Sequence, residues 1–62
     1  MTMFLSNKTY KIVFRVNGQD LGYTARDVTE DDTFVNFVDK FGKKFTYNKT
    51  WIISVEEVSN GN

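Results

Sequence analysis

The sequence predicts an all-β domain, a small five-stranded meander barrel, on three observations. Apolar and polar residues alternate with a period of two over much of residues 8–58. Turn-forming residues separate the alternating runs at Asn17-Gly18, residues 29–32, 39–42 and 48–50. Six Phe, three Tyr and one Trp in 62 residues supply enough apolar volume for a small core. The whole of 1–62 is expected to be a single domain, with flexible ends at 1–7 and 59–62.

The first strand is expected over residues 8–17, where Tyr10, Ile12, Phe14 and Val16 share one face. Asn17-Gly18 marks a tight hairpin, because both residues tolerate positive φ. The chain then returns through Leu21, Tyr23 and Ala25, with Thr24, Arg26 and Val28 on the opposite face. Thr29-Glu30-Asp31-Asp32 is a polar break.

Residues 33–42 admit two readings. Phe34, Phe37, Val38 and Phe41 recur at helical spacing, Asp31 or Asp32 could cap a helix, and Gly42 sits where one would end. That reading makes the fold α+β, ββαββ, with a helix over 31–41. Composition favours a strand instead: three Phe and two Val, with no Ala, Leu, Met or Gln. Asp39-Lys40-Phe41-Gly42 is then a type I turn with a left-handed glycine. A fourth strand over 43–48 turns Phe45 and Tyr47 inward, and 48–50 forms a short turn. The last strand runs from Trp51 to Val58, with Trp51, Ile53 and Val55 on one face.

Composition removes several classes of chemistry. The chain has no Cys, His or Pro. Disulfides and the usual zinc sites are excluded, as is a Ser–His or Cys–His nucleophile pair. The four glycines are too scattered to cradle a phosphate. Glu56-Glu57 would point to opposite faces of a strand. No enzyme activity, catalytic residue, cofactor or metal is expected. No apolar run approaches the roughly 20 residues needed to span a bilayer, so no membrane association is expected and the cytoplasm is the expected compartment.

The formal net charge of zero conceals a segmental split. Lys8, Lys11 and Arg15 make residues 1–17 basic, and Lys40, Lys43, Lys44 and Lys49 make 40–50 basic. Between them Asp20, Asp27, Glu30, Asp31, Asp32 and Asp39 face only Arg26. In a meander the 17–20 and 40–44 turns share one end, while the 30–32 and 48–50 turns share the other.

Four surface features are candidates for function. Lys40, Phe41, Lys43 and Lys44 form a basic aromatic turn, suited to single-stranded nucleic acid through phosphate attraction and base stacking. Val13, Val28 and Ile52 are apolar on the second faces of their strands, which points to self-association or a protein partner. Glu30-Asp31-Asp32 could hold a hard cation or enter a basic pocket on a target enzyme. Tyr10, Tyr23, Tyr47 and Trp51 form either an aromatic platform or part of the core. A non-enzymatic, self-associating or protein-binding module ranks first, and a nucleic-acid-binding barrel second.

From Thr24 to Val58 the order of features resembles small β-barrels of the Sm-like and Src-homology-3 type. The two-sided run Phe34-Val35-Asn36-Phe37-Val38-Asp39 carries the resemblance. It continues through the Lys40–Lys43 turn, Phe45-Thr46-Tyr47-Asn48, the short connector and Ile52–Val58. The RNA-contacting motifs of the Sm family have no counterpart, so no binding residue is carried over, and residues 1–9 show no equivalent of its N-terminal helix. Size, composition and the lack of Cys are also similar to small accessory proteins of phages and mobile elements. That likeness implies binding or inhibition rather than catalysis.

Overall fold

Phe4 and residues 7–58 are described by the structure, a computed structural model. It is all-β, with five antiparallel strands in one sheet. They are β1 (Thr9–Val16), β2 (Gln19–Glu30), β3 (Phe34–Val38), β4 (Lys44–Asn48) and β5 (Ile52–Val58). The spatial order is β4-β3-β2-β1-β5. The first four strands follow one another as a meander. The fifth crosses back to pair with the first, so β4 and β5 are the sheet's two edges and the barrel does not close.

The sheet nevertheless curls over its own core. The rings of Phe14 on β1 and Tyr47 on β4 lie 4.7 Å apart. Three strand spacings separate β1 from β4, about 14 Å on a flat sheet. β2 makes the bend: its first half pairs with β1 and its second with β3. Between Arg26 and Thr29 the register shifts, and Asp27 takes a φ of 51°. Left-handed backbone at one extra residue is the signature of a bulge, and aspartate is among the few side chains that tolerate it.

The turns form as their residues dictate. Asn17 and Gly18 take φ values of 52° and 81°. In the β3–β4 turn Gly42 N donates to Asp39 O at 3.0 Å, and Gly42 has a φ of 83°. A single 3₁₀ turn (Lys49–Trp51) links β4 to β5, with the Asn48 side chain accepting from Thr50 N. Trp51 therefore belongs to this turn and not to the last strand.

No helix spans residues 31–41, which corrects the ββαββ alternative. Val35 and Phe37 are buried while Phe34 is exposed, the alternation of a strand. The β-branched and aromatic composition of this segment prevailed over its helical spacing.

The core is Tyr10, Ile12, Phe14, Ala25, Val28, Val35 and Phe37, completed by Phe4 at 2% exposure. Phe4 meets Tyr10 edge-on with centroids 5.1 Å apart. A side chain expected in a flexible lead-in is thus part of the core; the other lead-in residues except 7, and residues 59–62, lie outside the described residues. Among the described residues no helix is long and apolar enough to cross a membrane.

Candidate functional site

Two bulges decide which side chains face outward. The extra residue in β2 reverses its alternation, so Val28 turns inward to 2% exposure. In β5 the register shifts so that Val13 lies opposite Ser54 and Phe14 opposite Ile52, leaving Ile53 as the extra residue. Ile52 consequently packs against the core, while Ile53 is exposed. Of the three residues expected on an outer apolar strip, Val28 and Ile52 are therefore corrected to core-facing positions. Val13 remains half-exposed, opposite Gly22.

Apart from Phe34 and Phe41, the exposed large apolar side chains among the described residues lie on or beside β5, divided between its two faces, with Val55 on the core side opposite Ile12 and Val58 on the other side opposite Thr9. Trp51, Ile53, Val55 and Val58 are 37–45% exposed. Val55 sits opposite the buried Ile12, but no further strand covers it on the other side. Among the described residues β5 pairs with β1 alone. The two edges differ in chemistry. β4 is five residues long, begins at Lys44 and follows Lys43, features that discourage edge pairing. β5 is seven residues long, IISVEEV, and has neither lysine nor proline.

The aromatic residues divide. Tyr10 is buried with Phe4, whereas Tyr23, Tyr47 and Trp51 form a continuous half-exposed row. The hydroxyls of Tyr23 and Tyr47 share a hydrogen bond of 2.7 Å. That bond first, and burial second, push the Tyr23 phenol up to about 12 from 10.0. The folded state therefore holds this proton more tightly than the unfolded chain does. The stability it contributes is complete below pH 10 and declines as pH rises from 10 towards about 12. Urea unfolding of wild type and Tyr23→Phe across that interval is expected to show a shallower alkaline loss in the variant.

The acidic turn does not assemble a cation site. Asp31 Oδ1 accepts from Phe34 N at 2.7 Å and Thr33 N at 2.8 Å, which holds its carboxyl below the usual range. Glu30 turns instead towards Lys49, with Oε1 3.3 Å from Nζ, and its Oε2 is buried without a hydrogen-bond partner. Lys49 Nζ also donates to Asp31 O at 2.8 Å, and its backbone N to Thr33 O at 2.9 Å. The 30–32 and 48–50 turns thus share one end of the sheet, as the meander pattern implied. Among the described residues no group of three or more carboxylates is placed to hold a metal ion.

The basic turn is built on Asp39. Its buried Oδ1 accepts from Phe41 N and Lys43 N, both at 2.9 Å, while Asp39 N donates to Lys43 O. This closure projects Phe41 outward to 82% exposure. The four residues expected to act together are divided. Lys40 and Phe41 line a groove with Lys11, Gly22, Tyr23 and Thr24. Lys43 Nζ lies 5.5 Å from the Phe45 ring centroid, and Lys44 lines a different groove beside Asp27. Lys11 escaped the sequence reading because it lies far from the turn in sequence. Its polar position in an alternating strand was the available signal.

The fold defines a small, open, all-β domain in which, among the described residues, one edge of β5 is unpaired. No family model, curated protein or solved structure matches the chain.

Proposed function

We propose that the chain is a non-enzymatic interaction module that self-associates through the β5 edge. The observation that carries this reading is that, among the described residues, the outer edge of β5 is unpaired and bears the exposed Ile53, Val55 and Val58 beside Trp51, with the bulge at Ile53 and Glu56-Glu57 as its only edge-blunting features. An edge strand offers a row of unpaired backbone donors and acceptors, and half-exposed apolar side chains add burial when another strand docks. A two-fold antiparallel pairing centred on Val55 would set Val55 against its own copy and Glu57 against Ile53, so no glutamate faces a glutamate. Marginal burial in so short a chain adds a reason to associate. The likeness to small phage and mobile-element accessory proteins also favours binding over catalysis. The proposed setting is the cytoplasm, which cell fractionation tests.

Sedimentation velocity at micromolar concentration is expected to show a dimer or larger species. Val55→Lys, at a position already 37% exposed, is expected to return it to monomer while retaining the far-ultraviolet β signature. A wild-type protein that stays monomeric throughout would overturn the reading.

A further inference from the structure

A second surface, remote in chemistry from the apolar edge, combines cations with an open ring. The outer face of the β1–β2 hairpin sets Lys11 opposite Thr24 and Val13 opposite Gly22. The β3–β4 turn supplies Asp39, Lys40 and Phe41 to the same groove, whose volume is about 460 Å³. Gly22 leaves the floor of that groove without a side chain. Lys40 Nζ lies over the Phe41 ring, 5.3 Å from its centroid, so the cation covers one face of the ring and the other face is the one a base would stack on.

We propose that this groove holds one nucleotide unit of a single-stranded nucleic acid, with the base stacked on Phe41 and the phosphate between Lys11 and Lys40. The volume falls within the range of small-ligand sites, roughly 300–1,000 Å³. Bases stack on an exposed ring without regard to sequence. An acidic peptide would use the two ammonium groups and leave the ring idle. The Asp39 carboxylate, which also lines the groove, is engaged through Oδ1 by the backbone of its own turn. Two phosphate-binding lysines give a salt slope of about −1.4, so affinity falls about sevenfold between 50 and 200 mM salt.

The test is anisotropy of a labelled ten-nucleotide mixed single strand, in deoxy and ribo forms, at those two salt concentrations. Saturable, salt-sensitive binding of either form supports the groove. Phe41→Ala is expected to weaken binding about tenfold. Lys11→Gln and Lys40→Gln should each flatten the salt slope by about half. Gly22→Val is the charge-free test. A Cβ there meets only Val13 Cγ2, at 3.9 Å, so the backbone has room for a β-carbon, and the branched side chain built on it is expected to fill the floor and abolish binding. If that variant fails to fold, Phe41→Ala at its 82% exposed site still decides the matter. Lys44→Gln, in the other groove, should change affinity less than about twofold.

Absence of binding at 50 mM salt would overturn the proposal. So would equal losses in Lys44→Gln and Lys40→Gln, binding unaffected by Phe41→Ala, or equal competition by a polyglutamate of matched charge. These outcomes are independent of oligomeric state, because the groove uses none of the half-exposed apolar residues of the β5 edge.

Discussion

Phe14→Ala is expected to remove about half or more of the chain's stability at 25 °C. Phe14 is fully buried, and its ring stacks on Phe37 at 5.7 Å while touching Tyr23 and Tyr47 at 6.0 and 4.7 Å. Those partners come from three other strands, so this one side chain ties β1 to the β2–β3–β4 half across the bend. Removing a buried Phe costs about 3–5 kcal/mol, including the cavity left behind. A domain of this length has a total stability of only about 3–9 kcal/mol. Urea unfolding followed by far-ultraviolet circular dichroism measures the loss. A drop below about 1 kcal/mol would show that the core collapses into the space and that the aromatic stack is dispensable.

The second large effect concerns the ion pair at the opposite end. Lys49→Met is expected to destabilise the fold by about 2 kcal/mol, because it strands the Glu30 carboxylate. The Glu30 side chain is 11% exposed and that of Lys49 31%, so the cation retains more water than the anion. The variant also loses the Nζ bond to Asp31 O that holds the β2–β3 turn against the 3₁₀ turn. The expected asymmetry is informative. Glu30→Gln should cost less than Lys49→Met, since a neutral amide is cheaper to bury, and Glu30→Met combined with Lys49→Met should recover part of the loss. Urea midpoints across this double-mutant cycle measure the coupling. A coupling near zero would mean that solvent already screens the pair.

The β1–β2 hairpin was legible because Asn17-Gly18 carries its backbone geometry in its side chains. The same holds for the β3–β4 turn, where Gly42 supplies the left-handed residue. Strand identity in residues 34–38 could be read from composition, once β propensity was weighed above helical spacing. Facing was a different matter. The alternation rule holds only while the register is regular, and one inserted residue reverses everything after it. Asp27 and Ile53 each do this, which is why Val28 and Ile52 lie inside and Ile53 lies outside. The apolar residues Ala25 and Val28, three apart where alternation demands two or four, were the trace of the first bulge.

Pairing was the other illegible feature. Nothing local in IISVEEV states that its partner is β1 and not β4, since that choice depends on how the curled core can be completed. The candidate groove was hidden for the same reason. Lys11 and Lys40 are brought together by the return of the β3–β4 turn towards the outer face of the hairpin, and no spacing in the sequence encodes that approach. The basic turn itself was visible, but its four residues diverge once Asp39 closes the loop.

The pairing of β1 with β5 also bears on how the chain acquires its structure during synthesis. Thr9 lies opposite Val58, so the earliest strand translated is completed by the last. At roughly 5–20 residues per second, ribosomal elongation leaves one edge of β1 without its partner until the final strand emerges. During that interval the nascent segment containing Tyr10, Ile12 and Phe14 is a template for unwanted strand pairing. Local hairpins can form as they leave the exit tunnel, but the sheet is completed only once β5 has emerged and reached β1. A premature stop before residue 52 would therefore yield a product with the core strand's flank open, and protein quality control would meet an adhesive fragment instead of a shortened but orderly domain.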